Sequence, residues 1–239
     1  MKKRIFAALT LAAFLTGCAW FQSNEEESSE DLVSDAMYNY ESANYRKSIE
    51  SFEKLKDWYP YSKYAILAEL KIADAHYRLE EYDEAIAAYE SFESLHPRNE
   101  AIPYVIYQIG NCYFEQVDSV DRDQSVAEKA MAVYTRLIQQ FPDDPYAAKA
   151  RENIKECQKS LAGHEFYVGM FYFKSKHYKP ALTRFKAVLA NYPDVGIHQK
   201  AIQYIALCES ELRNNPEEVE PDDTEESPEP EIGGQWPVN

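Results

Sequence analysis

Two stretches of this 239-residue chain carry the same kinds of side chain at the same offsets. Ser48, Phe52, Leu55 and Pro60 are followed, 37 residues on, by Ala85, Tyr89, Phe92 and Pro97. In each set the first three fall on one stripe of a 3.6-residue helix, and the proline closes that helix. The pattern returns as Ala130, Tyr134, Leu137 and Pro142, and again as Ala181, Phe185, Val188 and Pro193. Each set is preceded by a second helical stripe built around one small residue: Ala36, Ala73, Gly110 and Gly169. A small residue is required there because two antiparallel helices cross at that point.

In the second copy Ile72, Ala73 and His76 take the Leu, Gly and Tyr positions of the tetratricopeptide pattern, and Ala85, Tyr89 and Pro97 supply its second half. The expected fold is therefore all-α, a tetratricopeptide-like right-handed helical solenoid of about five helix pairs, over residues 32–213. With only 7 glycines, the chain is poor in hairpin-turn residues. The first pair is expected near residues 32–43 and 45–59. The 37-residue spacing exceeds the usual period of about 34, and the extra residues are assigned to a longer helix that Ser62 caps. Residues 145–176 read either as one long helix or as two collinear ones, with Gly163 the one interruption. A last helix near 197–212 closes the stack. Between the helices of the third copy lies VDSVDRDQSVA, longer than a repeat turn and acid-rich, and long loops in compact repeats tend to be functional.

The ends differ from this body. Lys2, Lys3 and Arg4 precede an apolar run from Ile5 to Phe14, which reads as a signal peptide over residues 1–17. Leu15-Thr16-Gly17-Cys18 looks like a bacterial lipobox, which implies cleavage before Cys18 and its acylation with fatty acids such as palmitate. Ala19, where an Asp would hold such a lipoprotein at the inner membrane, implies the outer membrane. Residues 18–31 read as the lipidated cysteine and a flexible tether. Residues 214–239, with nine acids, several prolines and no base, read as a disordered acidic tail.

The formal charge of −16 becomes more negative once the signal peptide leaves, with 22 basic residues against 41 acidic ones. Fourteen of the acids sit in the tether and tail, so the body is nearly balanced and nucleic acid is not an expected partner. Cys112, Cys157 and Cys208 remain after Cys18, all on helices near apolar positions. They read as buried thiols, with a Cys112 to Cys157 bridge as the alternative. The chain has no CxxC, HExxH, nucleophile elbow or phosphate-binding glycine loop, so neither an enzyme nor a metal or other cofactor is expected.

The lipobox, Phe52, Leu55 and Tyr59-Pro60-Tyr61-Ser62, Pro103-Tyr104-Val105-Ile106-Tyr107, the Asp121-Arg122-Asp123 loop and Tyr192-Pro193-Asp194 together resemble the BamD (ComL) family. These are the tetratricopeptide lipoproteins of the beta-barrel assembly (BAM) machinery of Gram-negative bacteria. The resemblance implies a lipid-anchored, non-catalytic protein at the outer membrane that faces the periplasm. It also implies an amino-terminal groove for the carboxy-terminal signal of unfolded outer-membrane proteins, and a carboxy-terminal half that docks on the POTRA region of BamA beside other BAM lipoproteins. The acidic tail departs from the family pattern. By repeat spacing the groove is expected to be lined by Val33, Met37 and Tyr40, then Leu70, Asp74, Tyr77 and Arg78, then Tyr107, Asn111 and Phe114. Tyr40, Tyr77 and Phe114 would take aromatic rings of the peptide and Arg78 its carboxylate. Arg184, next to core residue Phe185, is the expected salt-bridge partner of a BamA carboxylate. The other reading is a different tetratricopeptide scaffold, such as a pilotin for a secretin or pilus, or an adaptor of envelope constriction.

Overall fold

The computed structural model describes residues 27–215. The signal peptide, Cys18, most of the tether and nearly all of the acidic tail lie outside the described residues. Nine α-helices occur among them: α1 (Ser29–Glu41), α2 (Tyr45–Trp58), α3 (Ala65–Arg78), α4 (Tyr82–Leu95), α5 (Ile102–Phe114), α6 (Ser125–Gln140), α7 (Pro145–Lys174), α8 (Tyr178–Asn191) and α9 (His198–Asn214). The architecture is all-α and tetratricopeptide-like. The chain forms two compact units, one through Ala68 and one from Glu69.

In the first unit α1 and α2 pack on Leu32, Ala36, Ile49, Phe52 and Leu55, all buried. Ser48, which stands where later copies have alanine, is also fully buried, and its hydroxyl donates to the Ala36 carbonyl at 2.9 Å. A buried hydroxyl needs such a partner, and the helix crossing supplies it. Helix α1 begins at Ser29, inside the stretch that composition assigns to the tether. Its cause is local: Ser28 and Asp31 form a reciprocal capping box, which satisfies two amides that a helix start leaves open.

The second unit holds three core clusters, the last of them Ala162, Val188 and Ala201. Ala73, Ala85, Tyr89, Phe92, Val105, Ile106, Ile109, Tyr134 and Leu137 make the first; Val168, Tyr172, Ala181 and Phe185 lie in the second. Helix α7 contributes to all three, with Ala150 and Cys157 in the first, Val168 and Tyr172 in the second and Ala162 in the last. It is a single helix of 30 residues, about 45 Å long at 1.5 Å per residue. Asp144 caps it by accepting the Tyr146 amide at 2.8 Å. Gly163 sits inside it for a steric reason: a Cβ there would lie 2.9 Å from Cγ1 of Val120, on the 115–124 loop. At Gly110 a Cβ would collide with the Tyr134 ring, so the close helix crossing inferred from spacing is a real contact.

The helices of the first two copies are no longer than their neighbours. Helices α2, α3 and α4 each have 14 residues, and the additional residues of the 37-residue spacing lie in the connections 59–64 and 96–101 rather than in a longer helix. Ser62 acts in one of these connections, accepting the Tyr64 amide at 3.2 Å. The turns within the first, second and fourth copies are alike. Ala43, Glu80 and Lys176 each have φ near +60°, and the amides that follow reach back to Asn39, His76 and Tyr172 carbonyls at 2.8–3.0 Å. This is a left-handed helix cap made without glycine.

Candidate functional site

Inside the second unit, a run of hydrogen bonds crosses from α3 to α7. Asp74, 4% exposed, accepts the hydroxyls of Tyr89 at 2.8 Å and Tyr104 at 2.7 Å, and Lys71 Nζ lies 2.8 Å away. Gln108 donates to the Tyr104 oxygen at 3.1 Å and accepts from Asn111 Nδ2 at 2.6 Å. Asn111 Oδ1 then accepts the Tyr134 hydroxyl at 2.7 Å, and Asn153 Nδ2 donates to that same hydroxyl at 2.9 Å. Among the described residues no buried side-chain nitrogen or oxygen lacks a partner. A fully satisfied buried network fixes the orientation of everything attached to it.

Aromatic rings attached to this framework are only partly buried. Tyr77 meets Tyr82 edge-on at 5.9 Å between centroids, Tyr107 lies 5.2 Å from Tyr146, and Phe114 lies 6.4 Å from Tyr134. Tyr104 is 5.4 Å from Tyr146, and Lys149 Nζ stands 5.0 Å over the Tyr146 ring. Tyr77, Tyr107, Phe114 and Leu70 all pack against the first core while keeping part of their surface open. Burial, followed by the Glu115 carboxylate, raises the Tyr77 phenol to about 12. The hydroxyls of Tyr89 and Tyr104 are raised by burial and then by the Asp74 carboxylate, and that of Tyr134 by burial. At neutral pH all four are neutral and can donate hydrogen bonds.

The ten side chains that spacing assigns to a groove thus divide. Tyr77, Tyr107, Phe114 and Leu70 form a partly open apolar face, and Arg78 is exposed at the end of α3. Asp74 and Asn111 are not on offer to a ligand, because the tyrosine hydroxyls use their oxygens inside the unit. Val33, Met37 and Tyr40 are half-buried on α1 of the first unit, where Tyr40 packs edge-on against Tyr45 at 5.4 Å. Sequence reasoning missed Tyr104, Gln108, Tyr146 and Asn153 as members of the site. The signal for Tyr104 and Gln108 was available in their spacing of 4 on α5, which puts both on one face.

A cavity of about 510 Å³ runs along one face of α7, lined by Val120, Gly163, Phe166, Met170 and Phe171, with Lys159 and Lys174 also bordering it. The 115–124 loop forms one wall and is held firmly: His164 Nδ1 lies 2.7 Å from the Val120 carbonyl, and Gln124 joins Ser160 at 2.6 Å and the Ser119 and Arg122 carbonyls at 3.1 and 3.0 Å. Arg184, on α8, is paired within the chain. Its Nη1 is 3.2 Å from Glu165, and 41% of its side chain stays exposed. Cys112, Cys157 and Cys208 are free and buried, so the alternative of a Cys112 to Cys157 bridge does not hold. Among the described residues no group of three or more His, Cys, Asp or Glu is placed to hold a metal, and no helix is long and apolar enough to cross a membrane.

The chain is 34% identical over 191 residues to an outer membrane protein assembly factor BamD of Caulobacter vibrioides, which covers 78% of this chain and 63% of that relative's length. It is 28% identical over 227 residues to the BamD of Neisseria gonorrhoeae, covering 88% and 85% of the two chains. Among solved structures, the TPR2AB domain of yeast Sti1 in its complex with pHSP90 overlays with a TM-score of 0.49 at 17% identity, over 80% of this chain and 73% of that one. Residues 25–220, which include the whole helical body, match the YfiO family, described as an outer membrane lipoprotein, and the chain belongs to that family.

Proposed function

We propose that this protein is a non-catalytic, lipid-anchored component of the outer-membrane protein assembly machinery, with Cys18 as the anchor and the body in the periplasm. Its second unit receives unfolded outer-membrane proteins, and its carboxy-terminal helices dock on BamA beside the other lipoproteins of the complex. Support comes from the relatives, which are named as assembly factors, and from one observation in the structure. The rings of Tyr77, Tyr107 and Phe114 pack, half-open, against a core whose buried polar side chains all have partners. Such a face suits an extended segment with alternating aromatic residues. Ring-on-ring contacts supply affinity at low entropic cost, since the protein's rings are already fixed. Arg78, exposed at the edge of that face, is the cation for a terminal carboxylate.

The test is binding of a peptide matching a barrel protein's carboxy terminus to the mature chain, alongside recovery of BamA from membranes. Tyr77→Ala and Arg78→Glu are expected to weaken the peptide by about tenfold or more and to leave BamA recovery intact. Parent-like binding by both variants, or indifference to amidation of the peptide carboxylate, removes this account of recognition. Recovery of a secretin in place of BamA would favour a pilotin.

A further inference from the structure

Nine large apolar side chains are exposed among the described residues, and four of them, Trp58, Tyr61, Ile66 and Leu67, fall within ten consecutive positions. These positions form the corner between α2 and α3, in the first unit. Tyr61 is fully exposed and Trp58 54% exposed. A cluster of this kind on a soluble body marks a surface that something else covers. The same corner carries Lys63, whose Nζ lies 4.8 Å over the Tyr64 ring.

One hydrogen bond says which way the corner faces. The Tyr59 hydroxyl donates to the Glu27 carbonyl at 2.8 Å, so the chain running back towards Cys18 leaves the unit at the ring of Tyr59, the residue between Trp58 and Pro60 at this corner. Glu27 is nine positions from Cys18, and at most about 3.6 Å per residue keeps Glu27 within about 32 Å of an acylated cysteine. Tryptophan and tyrosine, with an apolar body and a polar tip, are the side chains that settle at the headgroup level of a bilayer, and lysine accompanies them by snorkelling. Lys63 is offset by the Glu30 carboxylate, so attraction to anionic lipid is not the main force.

We propose that the α2–α3 corner is a membrane-contacting surface, with Trp58 and Tyr61 seated in the interfacial layer of the bilayer that holds the lipid anchor. The contact adds to the anchor: it fixes how the first unit stands on the membrane instead of leaving it to swing at the end of a tether. It rests on the anchor reading only for the direction of approach.

The test separates the two. The chain from Cys18 onward, made without acylation and with Trp20→Phe and Trp236→Phe, is coupled through the Cys18 thiol to a maleimide lipid in phosphatidylethanolamine/phosphatidylglycerol vesicles. Cys112, Cys157 and Cys208 are buried and leave that thiol as the reactive one. Trp58 emission is then expected to shift to the blue and to be quenched by lipids brominated on their acyl chains, with little change in 0.5 M salt. Tyr61→Asp, at a site with no packing to lose, should roughly halve the quenching while leaving helicity unchanged. Water-like, unquenched Trp58 emission overturns the proposal. So does shielding of Trp58 that appears only when the BamA POTRA region is added, which would make the corner a protein interface. Acylation itself is read separately, from the mass of the native mature protein.

Discussion

Asp74 and Asn111 hold the same place in consecutive repeats, one residue past the crossing positions Ala73 and Gly110, and each accepts the hydroxyl of a core tyrosine, Tyr89 or Tyr134. In the first and fourth copies the core ring is Phe52 or Phe185, and the residue past the crossing is Met37 or Met170. The pairing has a physical reason. A buried hydroxyl without an acceptor costs about 1–3 kcal/mol, whereas a phenylalanine asks for none. Asp74→Met is therefore expected to lower stability by a few kcal/mol, and adding Tyr89→Phe should recover about 1 kcal/mol or more of that loss. Urea unfolding of the single and double variants decides it, and strictly additive losses would show the two side chains to be uncoupled. The buried thiols make a second test at this scale. Burial pushes Cys112 to about 12 and Cys157 and Cys208 to about 11, while an unfolded cysteine titrates near 8.5. Above that pH the unfolded chain gives up protons that the folded one keeps. Stability is thus whole below about pH 8.5 and declines as pH rises towards 12. Cys112→Ala should make the decline between pH 9 and 10.5 shallower, by up to about 1.4 kcal/mol per pH unit; equal slopes in parent and variant would rule this out.

Each element was legible to the extent that its own residues dictate it. The positions that recur at 37-residue spacing, Ser48, Phe52 and Leu55 with Ala85, Tyr89 and Phe92, are all fully buried or nearly so, because a stripe at helical period has one face to bury. The turns at Ala43, Glu80 and Lys176 were not legible, since the usual mark of a left-handed cap is glycine and none stands there. Gly163 left two readings of α7 open, one helix or two, because its role is to admit Val120 from a loop some forty residues earlier, which no local pattern shows. The site was half-legible for the same reason. Spacing put Asp74, Tyr77 and Asn111 on one side of their helices, but only the partners from α4, α6 and α7 decide that Asp74 and Asn111 are spent on hydroxyls. The 115–124 loop yields a prediction about an element. Gln124, 7% exposed, ties the loop to itself and to α7 through three bonds, with Arg122 exposed beside it. Gln124→Ala should leave the helices intact and speed tryptic cleavage after Arg122 severalfold, because proteolysis follows local opening. An unchanged cleavage rate would mean that His164 and the Val120 contact suffice to hold the loop.

Across the molecule, the acids of the two ends leave a nearly balanced body, so a partner on the carboxy-terminal helices is to be sought in particular charges and not in a field. Arg184 is the proposed contact with BamA, and its pairing with Glu165 makes the bare charge reversal ambiguous. Arg184→Glu removes the cation and also sets two carboxylates against each other across α7 and α8. As the ion pair is partly exposed, its loss alone is worth about 0–1 kcal/mol, too little to unfold the second unit. A cation buried against a partner's carboxylate is worth more, with truncation costing roughly 2–5 kcal/mol. The two roles part in the double variant Glu165→Arg with Arg184→Glu, which restores the internal pair with its polarity reversed. If Arg184 docks the partner, BamA recovery stays low in both the single and the double variant, while Glu165→Ala, which leaves the guanidinium in place, recovers BamA as the parent does. Tyr77→Ala should also recover it, since that ring belongs to the first core of the unit and Arg184 stands beside the second. Recovery restored by the double variant would mean that Arg184 serves only its pair with Glu165, and the docking surface would have to be sought elsewhere, beginning with the cavity along α7.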